Sequence, residues 1–318
     1  MSITVINPGA MTTVQDLGRK AFQSMGVRVC GVMDEDSYAA AISLVGWTGD
    51  AVLEMTLFGG TYRFEDDTVF ALTGADMQPT LDGKRCPMYR NVIAKAGQTL
   101  SLGFAKTGCR TYLAVDGGID VPEVMGSRST DVKCRIGGFE GRALKAGDVI
   151  PVGVSRPDKN MPGEAARQRE IEAIYPAEYP ECIEIRAIPG PQDDMFTEAG
   201  LETFFGTAYV VSDKSDRMGY RLEGAVIESK NGTDIISDGI AFGSVQVSAN
   251  GLPIVLMADR QTTGGYAKIA TVISADLPRL AQCRPGNRIY FRRTTIEEVC
   301  AEMKLEGKLE DKKNRRLR

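Results

Sequence analysis

The stretch Ser244–Lys268, which reads SVQVSANGLPIVLMADRQTTGGYAK, shows the pattern that decides the fold of this chain. It contains two short apolar runs, Ser244–Val247 and Pro253–Met257, with Asn, Gly and Pro residues around them. Short runs of this kind, bounded by turn residues, are typical of β-strands. The stretch therefore predicts short strands and tight turns rather than a long helix.

The same pattern of short strands recurs through most of the sequence. Further runs rich in β-branched, aromatic or other apolar residues are Val52–Phe58, Thr61–Phe64, Thr68–Leu72, Gln98–Leu102, Arg110–Val115, Asp148–Val152, Cys182–Ile188, Thr207–Val211, Ala270–Ser274 and Arg288–Phe291. Helices are few: one is predicted at Asp34–Val45 with Asp34 as N-cap, and one at Thr295–Met303, where Thr295 and Glu298 form a capping box. This balance predicts a mainly β fold of barrels or sandwiches.

The length of the chain predicts two lobes. Its 318 residues exceed the roughly 250–300 residues at which a single core usually stops growing. Residues 155–180 are rich in Pro and charge, so we interpret them as a linker between a first β lobe, residues 1–154, and a second, residues 181–303. Residues 304–318 are mainly basic and predict a solvated tail.

The composition excludes several classes of function. With 38 basic and 42 acidic side chains, the net charge of −4 argues against nucleic acid as a partner. The chain has no histidine, so it cannot supply an imidazole for a catalytic triad or a metal site. Its seven cysteines form no C-x-x-C pair, and neither a metal site nor a disulfide framework is expected. Since no signal peptide or long apolar run occurs, we expect a cytoplasmic protein without a membrane partner.

The main candidate site follows the predicted strand Pro253–Met257. The residues after this strand are polar or glycine: Asp259, Arg260, Gln261, Thr262, Thr263, Gly264 and Gly265. The glycines would let backbone N–H groups face a ligand, and Arg260 and Lys268 could neutralise a carboxylate or phosphate. Asp259 could orient Arg260 or act as a base. A tight Gly-Gly turn with a structural Asp–Arg pair explains the same residues, and both interpretations stay open.

A second cluster of charged residues follows the predicted strand Thr207–Val211. Arg217 and Arg221 would share one face of an extended segment and could capture an anion, although the composition favours a solvated hairpin tip. Asp238 and Gln246 lie between this cluster and the main segment. We include all four as candidate substrate-binding residues, with Gln246 as a hydrogen-bond donor.

The first lobe offers a reserve candidate in the loop Gly126–Asp131. Its hydroxyl and glycine content suits a phosphate, and Arg128 and Ser129 are the residues that would contact it. Neither of the familiar glycine-rich nucleotide motifs occurs in a strand–helix context. Nucleotide binding by this chain alone is therefore not predicted.

Together these segments resemble the biotin-dependent carboxyltransferase family, which includes one component of 5-oxoprolinase, the anti-inhibitor protein KipA and part of urea amidolyase. The resemblance covers about residues 3–293. It rests on motifs in a fixed order: Thr13–Arg19, Gly31–Asp34, Leu53-Glu54, Leu72–Ala75, Tyr112–Asp120, Gly126–Asp131, Gly190–Gln192, Asp216–Leu222, Asp238–Gln246 and Met257–Lys268.

The resemblance implies a cyclophilin-like β-barrel architecture and a hetero-oligomer with a homologous carboxyltransferase-family subunit and a third, lactam-utilisation-type subunit. For its oxoprolinase members it implies ATP-dependent opening of 5-oxo-L-proline to L-glutamate, with ADP and phosphate as the other products. Phosphorylation of the lactam oxygen supplies a leaving group, so the catalyst must mainly position groups and neutralise charge. Arg, Lys and backbone amides can do this without histidine. ATP could bind at this chain, at a partner or at a shared site.

Two other functions fit the same resemblance. One is a carboxyltransferase that acts on carboxybiotin; it would need its biotin carrier in trans, because no Ala-Met-Lys-Met site for covalent biotin is present. The other is a protein that antagonises a kinase inhibitor without catalysis. We favour the oxoprolinase function and expect its site where the second lobe meets a partner subunit.

Overall fold

The computed structural model describes residues 1–46, 50–154, 179–302 and 304. Apart from residues 179, 180 and 304, the predicted linker and the predicted basic tail lie outside these ranges. None of the helices in the described ranges is long and apolar enough to cross a lipid bilayer.

Residues 2–151 form two antiparallel sheets. Their strands are β1 (Ser2–Asn7), β2 (Thr12–Gln15), β3 (Val52–Thr56), β4 (Phe58–Phe64), β5 (Thr68–Gly74), β6 (Thr80–Leu81), β7 (Lys84–Arg85), β8 (Asn91–Ala94), β9 (Thr99–Phe104), β10 (Arg110–Val115) and β11 (Val149–Pro151). The strand orders are β11-β1-β4-β9-β6-β7 and β2-β3-β10-β5-β8. Residues of both sheets, such as Ile3 and Phe70, share one buried core, and we call this unit the sandwich.

Residues 182–293 form a closed barrel with a two-stranded ribbon beside it. Their strands are β12 (Cys182–Pro189), β13 (Ala208–Val211), β14 (Gly219–Glu223), β15 (Asp234–Gly239), β16 (Ser244–Val247), β17 (Pro253–Leu256), β18 (Thr263–Tyr266), β19 (Lys268–Val272) and β20 (Arg288–Arg293). The barrel order is β12-β19-β16-β17-β14-β13-β20, and β15 pairs with β18 in the ribbon. The prediction of a mainly β, barrel-containing architecture with few helices is confirmed.

The described helical segments are short. They are α1 (Glu35–Val45), α2 (Glu198–Gly206), α3 (Leu277–Ala281), a helix at residues 296–302, and the 3₁₀ turns Gln23–Met25, Asp193–Met195 and Ser274–Asp276. The carboxylate of Asp34 accepts a hydrogen bond from the backbone N–H of Ser37 at 2.9 Å, which confirms the predicted N-cap. Thr295 and Glu298 exchange hydrogen bonds at 3.1 and 3.2 Å, which confirms the capping box.

The strands differ from the prediction in a few places. The predicted run Val52–Phe58 is two strands, because Leu57 has a left-handed backbone (φ 61°) that ends β3 before β4 begins. The run predicted at Ala270–Ser274 begins earlier, at Lys268, and ends at Val272. The sequence pattern missed β1, β2, β6, β7, β8, β14, β15 and β18. Of these, β6 and β7 have only two residues each, and β2, β14, β15 and β18 are rich in polar residues or glycine.

One side chain fastens the sandwich to the barrel. The oxygen of the Gln282 amide accepts the backbone N–H groups of Cys109 and Arg110, at 3.0 and 2.9 Å. Its nitrogen donates to the Asp34 carboxylate at 2.7 Å and to the backbone oxygen of Arg110 at 3.0 Å. Gln282 is buried, and all four of these contacts cross from barrel to sandwich. The interface between the two units is therefore specific and polar, and we call it the seam.

Candidate functional site

A cleft of about 350 Å³ opens on the barrel beside β14 and β16 and the segment that follows β17. Four of the residues predicted from the sequence line it together: Arg221, Gln246, Arg260 and Gln261. Asp216 and Tyr266 also line it. The closed barrel therefore gathers side chains that lie up to fifty residues apart in the sequence, from Asp216 to Tyr266.

Arg260 is the buried cation of this cleft. Its side chain lies over the ring of Phe242, 5.5 Å from the ring centre, and its Nε donates to the backbone oxygen of Ile240 at 3.3 Å. The residue is only 8% exposed, and no carboxylate among the described residues pairs with it. Burial lowers the pKa of Arg260 below its usual value, which reflects the cost of burying a charge without a counter-ion.

Two carboxamides and a second guanidinium lie near Arg260 in the cleft. Gln246 on β16 donates its Nε2 to the backbone oxygen of Tyr266 at 3.1 Å, and its Oε1 has no hydrogen-bond partner among the described residues. The amide of Gln261 and the guanidinium of Arg221 make no hydrogen bond or ion pair with any residue that the structure describes. The cleft thus presents donors and acceptors that other protein groups leave available.

A glycine makes the approach of the two carboxamides possible. A Cβ atom on Gly264 would lie 2.6 Å from Nε2 of Gln246 and 3.3 Å from Nε2 of Gln261. Neighbouring Gly265 has far more room, with its nearest atoms at 3.5 Å and beyond. The alternative of a tight Gly-Gly turn is wrong, because both glycines lie within strand β18. The first of them provides space beside the cleft.

Asp259 is positioned differently from the expectation. Its carboxylate does not orient Arg260; it accepts two hydrogen bonds from Arg217, at 2.9 and 3.0 Å. Arg217 also contacts the carboxylate of Glu54 and the backbone oxygen of Gly31, both in the sandwich. The structural Asp–Arg pair considered for this segment exists, but its arginine is Arg217 and both residues belong to the barrel. The contacts that cross the seam are those of Arg217 with Glu54 and Gly31.

Carboxylates of the same chain already neutralise Arg217. Burial alone would lower the pKa of Arg217, but Asp259 and Glu54 more than offset this and raise it. Arg217 lies in a bend before β14, so it does not share a face with Arg221 on that strand as the extended segment predicted. Arg221 is exposed and lines the cleft, whereas Arg217 is buried in the seam.

Lys268 already has a counter-ion. Its Nζ lies 2.9 Å from the carboxylate of Asp238 on the ribbon, and its backbone N–H donates to Oε1 of Gln192 at 3.1 Å. The hydrogen bond from Lys268 lowers the pKa of Asp238. The two candidates thus neutralise each other beside the cleft.

The remaining candidates lie elsewhere. Thr262 and Thr263 are at the start of the ribbon strand β18, where the backbone of Thr263 pairs with Gly239. In the sandwich, the hydroxyl of Ser129 is bonded to the carboxylate of Asp16.

Arg128 is tied to its own surroundings in the sandwich. It forms ion pairs of 2.9 Å with both Asp50 and Glu123, and its Nε donates to the backbone oxygen of Val121 at 3.0 Å. These contacts hold the loop, so the structure does not bring Arg128 into the barrel cleft.

Two sandwich residues that donate hydrogen bonds to the backbone around the cleft were not predicted from the sequence. Gln23 donates to the backbone oxygens of Ile240 and Thr262, at 2.8 and 3.5 Å. Arg28 donates to the backbone oxygen of Asp259 at 3.4 Å. No local pattern marks these residues, since their partners lie more than 200 residues away. Among the described residues, no cluster of three or more His, Cys, Asp or Glu side chains could hold a metal ion.

Comparisons with known proteins agree with this architecture. The family profile of the carboxyltransferase domain, subdomain A and B, matches residues 25–293. A protein of Escherichia coli K12 that is named as a 5-oxoprolinase subunit is 44% identical over 304 residues, which cover 93% of each chain.

Two solved structures share the fold at a sequence identity of 30% or more. The crystal structure of TTHA0988 matches with a TM-score of 0.81 and 34% identity, over 92% of this chain and 56% of that one. The urea carboxylase of Kluyveromyces lactis also matches with a TM-score of 0.81, at 30% identity, over 92% of this chain and 27% of that one. The chain thus spans just over half of the first solved relative and about a quarter of the second.

Proposed function

The chain belongs to the family of the carboxyltransferase domain, subdomain A and B, and we propose that within this family it is one component of a 5-oxoprolinase. The similarity to the Escherichia coli protein of that name supports the proposal, because it extends over nearly the whole of both chains. In this function the protein acts with a homologous subunit and a third, lactam-utilisation-type subunit. The complex opens 5-oxo-L-proline to L-glutamate and converts ATP to ADP and phosphate.

The observation that carries the proposal is the buried guanidinium of Arg260. A carboxylate is a group that such a cation binds strongly, through charge-assisted hydrogen bonds. 5-Oxo-L-proline carries one carboxylate, and in this proposal Arg260 binds it. Arg221 lies at the same cleft and adds positive charge that attracts the anion.

The lactam itself fits the two carboxamides. Its N–H and C=O groups lie side by side on one edge of the ring, so it offers one donor and one acceptor. Oε1 of Gln246, which lacks a partner among the described residues, can accept the N–H, while Nε2 of Gln261 can donate to the carbonyl oxygen. That oxygen attacks the terminal phosphorus of ATP and ADP leaves, while the donor from Gln261 fixes the position of the oxygen. One water then adds to the ring carbon as the C–N bond breaks and the nitrogen takes a proton, and a second water releases phosphate from the resulting acyl phosphate.

ATP enters this proposal as the second substrate. The carboxylate and the amide edge of the lactam account for the four polar side chains Arg221, Gln246, Arg260 and Gln261. We therefore propose that a partner subunit holds the nucleotide, or shares it with this chain at the open side of the cleft. Lys268 and Asp238, which pair beside the cleft, maintain the ribbon in this scheme.

A second candidate function is transfer of a carboxyl group from carboxybiotin. The match to the urea carboxylase of Kluyveromyces lactis favours it, since that protein shares the fold over nearly the whole of this chain. In that case the same guanidinium of Arg260 would bind the carboxyl group that is transferred.

Calorimetric titration of 5-oxo-L-proline into the purified chain is the direct test. We expect binding, and we expect glutamate and phosphate release only when the two partner subunits and ATP are added. Binding of neither 5-oxo-L-proline nor its open-chain product, together with an inactive assembled complex, would contradict the oxoprolinase function. Activity with carboxybiotin in the same complex would establish the second candidate instead.

A further inference from the structure

A second cavity, of about 370 Å³, lies at the seam between sandwich and barrel. It is separate from the cleft, although Asp216 and Met218 line both. Its size is within the range of small-molecule sites. Most of its wall is apolar and is built by both units, including Met11, Leu57, Val132, Val211, Met218 and Pro285.

A buried arginine, Arg110, forms part of this wall. Its Nη1 donates to the hydroxyl of Tyr220 at 2.6 Å and to the backbone oxygen of Ala281. Its Nε has no hydrogen bond and lies 3.8 Å from the nearest oxygen of Glu54, which Arg217 contacts directly. Its Nη2 makes no hydrogen bond to any described residue. Because Nε is fully buried and lies beside Glu54, the group that a ligand in the cavity can reach is Nη2, which we call the open edge of Arg110.

A hydrogen-bond acceptor in the cavity would give Nη2 of Arg110 the partner that the described residues do not supply. The charges nearby decide which acceptor fits. Arg110 and Arg217 are balanced by Glu54 and Asp259 in the inner wall. A carboxylate on the open edge of Arg110 would lie close to the Glu54 carboxylate, and the two like charges would repel each other. A neutral carbonyl oxygen accepts the same hydrogen bonds without this repulsion.

We propose that the seam cavity binds a small neutral molecule with an apolar body and one carbonyl group of the amide, lactam or ester type. The carbonyl oxygen accepts from the open edge of Arg110, and the body lies against the apolar wall. The rim carries both signs of charge, Arg28 and Lys133 against Asp213 and Asp216, and so selects no charged ligand. Because the ligand contacts both units, it favours their observed arrangement.

Three probes of similar size separate the contributions to binding: acetanilide has the carbonyl, phenylacetate has a carboxylate and ethylbenzene has no acceptor. Calorimetry with the full chain should show that acetanilide binds about tenfold more tightly than either of the others, which is the value of roughly one hydrogen bond. In Arg110→Met the preference for acetanilide over ethylbenzene should disappear.

A second variant keeps the test valid if Arg110→Met does not fold. Val132→Phe, at a partly exposed position in the wall, should fill the cavity and abolish acetanilide binding. Val149→Phe, on the exposed side of β11, is the matched control and should bind like the unmodified chain. The proposal is overturned if acetanilide does not bind, if Val132→Phe leaves its binding unchanged, or if phenylacetate binds more tightly.

Discussion

The seam and the cleft each contain a pair of arginines, and the two pairs differ in whether a carboxylate of the protein serves as their counter-ion. At the seam, Arg110 and Arg217 share Glu54, and Arg217 also binds Asp259. In the cleft, Arg221 and Arg260 have no carboxylate partner among the described residues. Residue type is the same in both places. The difference lies in whether the fold supplies the counter-ion or leaves that to a ligand.

This difference predicts opposite responses to mutation. A buried ion pair that loses one partner leaves an uncompensated charge, so the seam should respond in folding stability. A buried cation without a partner already bears that cost, so its removal should spare stability and weaken binding. Both properties can be measured on the purified chain.

The largest expected effect is on the seam. Glu54→Gln leaves two buried guanidiniums with Asp259 as their remaining carboxylate, and we expect a loss of about 3–5 kcal/mol in the free energy of unfolding. Urea denaturation measures it. Glu184→Gln, on the exposed side of β12, should change stability by less than about 0.5 kcal/mol. If Glu54→Gln is as stable as this control, the seam does not depend on the ion pairs.

The next effect concerns the cleft. Arg260→Met keeps an apolar stem over Phe242 but removes the charge, so stability should stay the same or rise. The affinity for 5-oxo-L-proline should fall about 10- to 100-fold, because hydrogen bonds between charged groups contribute roughly 1.5–3 kcal/mol. Calorimetry measures the affinity, with Arg63→Met on the exposed face of β4 as control. A loss of stability without a loss of affinity would place Arg260 with the seam arginines.

Sequence patterns predicted the barrel but could not assign the arginines. Short strands follow from local alternation of apolar and turn residues, which is why most strands and the N-cap Asp34 were found. Asp259 and Arg260 are neighbours in the sequence, and both were predicted to be site residues. The carboxylate of Asp259 lies in the seam, whereas the side chain of Arg260 lies in the cleft. The decisive partner, Glu54, is 163 residues from Arg217.

The one local signal for the seam was weak. Glu54 is an acidic residue in the middle of the apolar strand β3, where every other residue except the last is also buried. A charge in such a position requires a buried partner. The sequence shows that the partner must exist, but only the closed barrel, packed against the sandwich, shows that it is Arg217.

A smaller effect is expected where the cleft depends on space rather than charge. Gly264→Ala would place a methyl group against the amides of Gln246 and Gln261 and against the buried side chain of Ile240, so all three must shift. Their displacement should weaken 5-oxo-L-proline binding by about threefold to tenfold, which corresponds to roughly one neutral hydrogen bond.

Gly265→Ala is the matched control for this variant, because its Cβ meets nothing closer than 3.5 Å. It should bind 5-oxo-L-proline like the unmodified chain. Equal effects of the two substitutions would show that the ribbon strand, and not the carboxamide pair, responds to the added methyl group.

The smallest effect concerns Lys268 and Asp238, which form an ion pair within the protein as the seam arginines do with their carboxylates. The hydrogen bond from Lys268 lowers the pKa of Asp238, so the pair stabilises the fold above the ordinary carboxyl pKa of about 3.9. This stabilisation should disappear as the pH falls from there through the lowered pKa. Acid and urea denaturation of Asp238→Asn should therefore show a small deficit that is constant from pH 8 to about pH 5 and vanishes at lower pH.

Asp238→Asn also tests whether Lys268 serves only as the ion-pair partner of Asp238 or also binds 5-oxo-L-proline. Asp238 is largely exposed, so Asp238→Asn should leave the affinity for 5-oxo-L-proline unchanged, and Lys268→Ala should leave most of the activity of an assembled complex. If Asp238→Asn instead raises the affinity by releasing the ammonium group, Lys268 joins Arg260 as a cation for the ligand. The two classes would then differ in strength of pairing, because an exposed carboxylate releases its cation to a ligand more readily than buried Glu54 does.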